Sequence, residues 1–411
     1  MFTSPAFRPN DKASHTHLTR AAVLLYAIIC GLAVATIYFS QPLLDAITLE
    51  FGISKAVIGI VVTATQCCYA LGLFFLVPLG DMLDPRRLVT GMLVFIAIGL
   101  SIVAFAPNKW FLFLGMGMVG FQAVVAQVLV ALAANRASQQ SRGRTIGVVT
   151  SGIVLGILLA RTFSGILADM AGWRSVYIAA AMITIGMAYL FITVTPASKR
   201  PPRAVTYPDM LRSIKDLFVQ IPLLTVRGLL AFFLFSDFSI LWSSMVLPMS
   251  APPLSFSHSL VGLFGLAGAA GALAARSAGR LADRGFGQWT TGIALFLLSF
   301  SWLPIGALQH SMWLFVAGVV MLDFAVQAVH VTNQSMLLSV RPEARSRLTA
   351  AYMIFYSCGS AAGAVASTWI YSWAGWLGVC ILGASVSLAA LVFWACTLKM
   401  GRIVDNTCPC D

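Results

Sequence analysis

The chain alternates long apolar stretches with short polar connections. Twelve stretches read as helical spans, at 21–44, 56–79, 88–106, 110–134, 145–168, 174–195, 223–248, 259–278, 289–308, 312–338, 348–371 and 376–398. Each is near the ~20 residues a helix needs to cross a hydrocarbon core. Inside a bilayer only a helix or a closed barrel satisfies its own backbone. The first stretch is too long for the apolar region of a signal peptide and reads as a retained span. The longest connection, 196–222, carries Lys199, Arg200, Pro201, Pro202 and Arg203 and separates two sets of six spans. The expected organisation is a tail at 1–20, a six-helix half at 21–195, a linker at 196–222, a second half at 223–398 and a tail at 399–411.

Composition narrows the class. Of the 411 residues, 59% are hydrophobic and 10% charged, against about 25% charged in a soluble domain. That excludes a soluble enzyme, a disordered chain and a disulfide-rich module. A net charge of +12 suggests nucleic acid until its distribution is seen. Of 26 Lys and Arg residues, 21 fall in the tails and even-numbered connections. Lys55, Lys109 and Arg174 fall on the other side, and Arg161 and Arg227 lie inside spans. This is the positive-inside pattern, with both tails cytoplasmic and no nucleic-acid partner. Cys30, Cys67, Cys68, Cys358, Cys380 and Cys396 sit in apolar runs as small hydrophobes. His15, His17, Cys408 and Cys410 give only weak metal hints, and no metal site or cofactor is expected.

The two halves resemble each other. A shift of 203 residues lays Trp110 on Trp313, Gly115 on Gly318, Phe121 on Phe324, Arg142 and Arg144 on Arg345 and Arg347, Gly156 on Gly359, and Gly172-Trp173 on Gly375-Trp376. A shift of 202 lays Asp81 on Asp283. Tandem halves of one orientation are a transporter architecture, with the solute site near the midplane between them.

These residues resemble the major facilitator superfamily over nearly the whole length. Gly279-Arg280-Leu281-Ala282-Asp283-Arg284 matches the superfamily's loop signature, and Asp81 with Arg86 and Arg87 keeps part of it in the first half. Span 5, with Gly147, Gly156, Ala160, Ser164 and Gly165, is similar to the signature of the superfamily's exporters, although Arg161 stands where proline is usual. Gln41-Pro42-Leu43-Leu44, Ala126-Gln127-Val128, Leu158-Leu159-Ala160-Arg161-Thr162 and Val331-Thr332-Asn333-Gln334-Ser335 resemble the branch of bacterial arabinose efflux permeases. The resemblance implies an all-α polytopic membrane protein of twelve transmembrane helices arranged as two parallel six-helix repeats. It further implies a monomeric secondary transporter of the bacterial inner membrane and export by exchange with protons. A gating loop is expected, pairing Asp81 with Arg142 or Arg144 and Asp283 with Arg345 or Arg347, flanked by Arg86, Arg87 and Arg284. These arginines serve equally well as topology signals.

An ionisable group in mid-membrane costs about 2.5–3.5 kcal/mol or more and needs a partner or a task. Arg161 lies about 25 Å of helix from Arg144 at 1.5 Å per residue, past the midplane. There it either binds an anionic group or snorkels outward. At 100° per residue, Asp323, Gln327, His330 and Gln334 share one face of span 10, with Asn333 beside them. Such a stripe lines a cavity or hydrogen-bonds neighbouring helices. Asp323, His330 and Asp237 are the candidates for proton coupling, since imidazoles and buried carboxyls exchange protons near neutral pH. Arg161 is a possible partner for Asp237, and Arg227 is expected to snorkel. Gln127, the repeat mate of His330, and Gln66, Tyr38, Gln122 and Trp242 complete the expected cavity lining, with Thr36, Gln41, Tyr69 and Tyr352 as further contributors. No phosphate-binding loop or nucleophile elbow is present, so ATP is not expected to drive the protein and no enzymatic activity is expected. The competing readings are proton-coupled uptake of a metabolite and, from another class, a polytopic membrane enzyme or sensor.

Overall fold

In a computed structural model of the protein, residues 19–137, 141–196, 206–268, 277–341 and 345–405 are described, and they form helices without a strand. Nine helical stretches among these residues are long and apolar enough to cross a bilayer, from Arg20–Phe51 to Arg347–Leu398. The last holds expected spans 11 and 12, which part at Gly375, where φ is 61° and ψ −158°. Span 2 is the shorter helix Ile60–Phe75. Span 8 is described from His258 to Gly268, as the helix His258–Leu263 and a tighter 3-10 turn at Phe264–Gly268. Large apolar side chains such as Trp289, Leu303 and Trp313 stay exposed on the outer helices, as a lipid-facing surface requires.

The packing repeats with the sequence. Gly172 and Gly375 both take positive φ, 81° and 61°, a conformation that costs glycine nothing. The tryptophan after each turns inward. Trp173 donates to Glu50 at 2.5 Å and Trp376 to the carbonyl of Ile305 at 3.2 Å. Gly156 lies against the backbone of Gly31, and its mate Gly359 against the backbone of Phe232. Small residues at these crossings let helix backbones touch, which is how helices associate where no hydrophobic drive exists.

The 196–222 connection is not a bare linker. Tyr207–Gln220 is a helix with Met210, Ile214 and Leu217 buried on one face, the i, i+4, i+7 pattern of an amphipathic surface helix. Its Tyr207 hydroxyl donates to the Phe75 carbonyl of span 2 at 2.8 Å, and the Phe218 ring lies 5.8 Å from Phe355 of span 11. The helix therefore rests on both halves. Lys199 to Arg203 lie outside the described residues.

Spans 5 and 8 cross closely at the end of the bundle opposite the tails. A β-carbon at Gly165 would overlap the carbonyl oxygen of His258, and one at Gly262 that of Arg161. Spans 2 and 11 meet at the same end, where Thr63 donates to the Ala361 carbonyl at 2.8 Å and Thr368 to that of Ala56 at 3.4 Å. These contacts close the two halves on each other there.

Candidate functional site

Arg161 is the centre of the interface between halves. It is 2% exposed, so it does not snorkel. Its guanidinium carbon lies 3.8 Å from the ring centroid of Trp242 and 5.2 Å from those of Tyr38 and Phe238. Cation–π contacts reach about 2 kcal/mol each when desolvated. Its Nε donates to Gln41 Oε1 at 2.8 Å, while its Nη2 is buried without a partner. The space beside it, about 10 Å³, is bordered by Gln41, Trp242, Met245, Val246 and Val261, on the order of room for one water.

Asp323 of span 10 is 4% exposed and accepts a hydrogen bond from Trp242 Nε1 at 3.1 Å. Trp242 thus gives its ring face to a cation of the first half and its N–H to a carboxylate of the second. Arg161 and Asp323 form no ion pair with each other; Trp242 stands between them. Gly265 and Gly268 of span 8 lie directly against Arg161 and Asp323. Two further rings close the floor. The Tyr38 hydroxyl of span 1 is hydrogen-bonded to that of Tyr356 of span 11, and the Phe235 ring lies 3.8 Å from Tyr356.

The other expected lining residues divide. Gln327, His330 and Gln334 are half-buried rather than exposed to lipid. His330 Nδ1 lies 3.0 Å from the Tyr352 hydroxyl, with its ring edge-on to Phe235 at 5.1 Å. Gln127 is half-buried. Gln66 and Gln122 each keep a buried, unpartnered Oε1.

Three residues sit elsewhere than expected. Asn333 does not line the interface; it is fully buried within the second half and accepts from Arg227 Nη1 at 3.1 Å. Arg227 does not snorkel, because Asn333 and Thr291, the latter at 3.2 Å, take its donors inside the bundle. Asp237 is not a partner of Arg161. It is fully buried facing spans 9 and 12, where the Ser387 hydroxyl donates to its Oδ2 and itself accepts from Trp302 Nε1 at 3.1 Å. Phe238 and Trp242 of the same helix face Arg161, whereas Asp237 faces Ser387. In the gating loop, the side chains of Asp81, Asp283 and Arg345 lie outside the described residues. No ion pair of Arg86, Arg87, Arg142, Arg144, Arg284 or Arg347 appears among the described residues.

One cluster has no counterpart in the sequence reading. At the end opposite the tails, His258, just ahead of the expected span 8 and first in its helix, lies between two carboxylates of the first half. Its Nε2 is 3.1 Å from Asp45 Oδ1 and its Nδ1 3.0 Å from Asp169 Oδ1. The backbone N–H groups of His258 and Ser259 also donate to Asp169, at 3.1 and 2.7 Å. With a carboxylate at each ring nitrogen, the doubly protonated imidazolium is favoured. The hydrogen bond to Asp45 foremost raises His258 from 6.5 to about 9. Nothing in the spacing of residues 45, 169 and 258 announces this contact. The available signal was that all three flank span ends on one side.

The model of the Major Facilitator Superfamily matches residues 23–340 and 228–404. YgaY of Escherichia coli (strain K12), a protein named as a transporter, is 44% identical over 383 residues, 93% of this chain and 97% of that protein. A Helicobacter pylori protein named as a sugar efflux transporter is 20% identical over 386 residues, 93% of this chain and 96% of its own. Among solved structures, a bacterial homologue of the human lysosomal transporter Spinster, in an inward-facing and unoccupied conformation, superposes with a TM-score of 0.70 at 17% identity, covering 92% of this chain and 95% of that one.

Proposed function

The chain belongs to the major facilitator superfamily, and from that premise we propose that it is a monomeric secondary active transporter of the bacterial inner membrane, moving a small organic solute by alternating access and coupled to protons through Asp323. One observation carries the proposal. A buried cation of one half and a buried carboxylate of the other meet through a single tryptophan, at the place where two rocking halves would share a solute. His330 is a second proton candidate, while Asp237, enclosed by Ser387 and Trp302, is the weakest of the three. The 21-to-3 split of basic residues supports cytoplasmic tails. The closed end, with its His258 cluster, is then the outer gate. Export by exchange with protons is supported by the span 5 resemblance and by the Helicobacter pylori relative's name. Uptake together with protons is the second reading, favoured by the unpartnered donor on Arg161.

The test is flux of candidate solutes into and out of reconstituted vesicles under an imposed pH gradient. Gradient-dependent flux in the wild type, lost in Asp323→Asn, is the expected result. Flux whose gradient dependence survives in Asp323→Asn removes the coupling assignment.

A further inference from the structure

We propose that the Arg161 site takes an organic monoanion with an apolar body, and that it takes this anion together with a proton. The inference rests on the transport reading above and names the solute class of that same site. Arg161 is 2% exposed, its Nε is committed to Gln41, and its Nη2 has no acceptor. A buried charged donor without an acceptor is costly, and a carboxylate fits the guanidinium fork. Beyond Gln41, whose Oε1 is taken by Arg161 Nε, the walls beside it are Trp242, Met245, Val246 and Val261; they are apolar and would meet a ring or an alkyl chain in a conformation wider than this one-water space. A polyol would leave its hydroxyls unmatched against them. A cation would meet the charge of Arg161 at low dielectric.

The arrangement of charges sets the coupling. The charges of Arg161 and Asp323 balance one another across Trp242. A bound anion leaves two carboxylates facing one guanidinium in a dry pocket, and a proton on Asp323 restores neutrality. The groups facing the pair do not supply a second cation. Tyr38 and Tyr356 present hydroxyls hydrogen-bonded to each other, span 8 presents Gly265 and Gly268, His330 is held by Tyr352, and Asp237 by Ser387. Solute and proton then ride the same leg of the cycle, so a proton gradient directed inward drives uptake of the anion, which selects the second of the two directions given above.

The test is calorimetry on the purified protein in nanodiscs, with benzoate, phenylacetate and hexanoate as probes, each against its neutral amide. Running each titration in two buffers of different ionisation enthalpy counts the protons exchanged. At least one acid is expected to bind about 10–100-fold more tightly than its amide. It should take up about one proton, and bind up to about tenfold more weakly for each unit rise in pH. Arg161→Gln should erase the preference for acid over amide, and Arg161→Lys, which keeps the charge, should retain part of it. Asp323→Asn should bind the acid without proton uptake. Equal binding of acid and amide, no binding of any acid, or release of protons on binding each overturns the proposal. The outcomes separate from the transport reading. Gradient-driven flux of a neutral solute with no acid binding leaves transport standing and removes the anion. Acid binding with proton uptake but no flux of any solute does the reverse.

Discussion

Removing the charge on His258 should open the gate at the end opposite the tails, and the structure sets the size of the effect. When that gate is closed, His258 sits between Asp45 and Asp169 at 3.1 and 3.0 Å and is raised from 6.5 to about 9. When the halves part, it leaves both carboxylates and returns to its ordinary range. Because the closed state is the one with the raised value, it gains its full stabilisation below about 6.5 and loses it as pH climbs through about 9. The span from 6.5 to about 9 corresponds to a ceiling of about 3 kcal/mol. The imidazole is a quarter exposed, so solvent screening reduces this to about 1–2 kcal/mol. A cysteine at Val261, which borders the Arg161 cavity, reports opening in a chain otherwise free of cysteine. Its labelling by an impermeant maleimide from that side should be compared with a cysteine at Leu49, which is 84% exposed, to cancel the pH dependence of the reagent. The ratio should rise about 5–30-fold between about pH 6 and about pH 10, the factor that 1–2 kcal/mol implies. In His258→Gln it should be high throughout. A ratio flat with pH in the wild type, or a His258→Gln chain that labels no faster at about pH 6, would refute the reasoning.

Other outcomes follow from the same geometry. Gly165→Val should prevent closure at that end, because its side chain would meet the His258 carbonyl; transport should be lost while Val261→Cys labelling stays high at every pH. Ser387→Ala removes the donor to the fully buried Asp237 and should lower unfolding stability by about 1–3 kcal/mol, read as a fall in melting temperature, with the proton dependence of flux unchanged. Asn333→Leu takes an acceptor from Arg227 and should destabilise by a similar ~1–3 kcal/mol without altering solute affinity; a selective change in affinity would return Asn333 to the cavity lining.

Much of the fold could be read from the chain. Span ends fell within a few residues of the observed helices wherever apolar runs meet charged or turn residues. The expected break between spans 11 and 12 lies where Gly375 takes positive φ. The linker helix was missed because only three of its residues, Met210, Ile214 and Leu217, form its buried face, and a short amphipathic stripe is diluted among polar neighbours. The site was partly legible. Arg161 and Asp323 stood out because a charge in mid-membrane is expensive, and cost alone marks them. Asp237 and Arg227 stood out for the same reason and were placed wrongly, because cost says nothing about direction.

The sequence by itself determined the class of the molecule. Apolar runs of bilayer length, the one-sided placement of Lys and Arg, and a repeat in register at Trp, Arg and Gly are each local or periodic properties, written along the chain. Only the tertiary structure decided which polar groups meet. Trp242 joins Arg161 to Asp323, two residues 162 positions apart in the chain, and His258 reaches Asp45 and Asp169 from the other half. Such contacts depend on helix rotation and on how closely glycines such as Gly165 and Gly262 let two backbones approach. Both are settled by packing among helices distant in sequence, and no spacing within a single span encodes them.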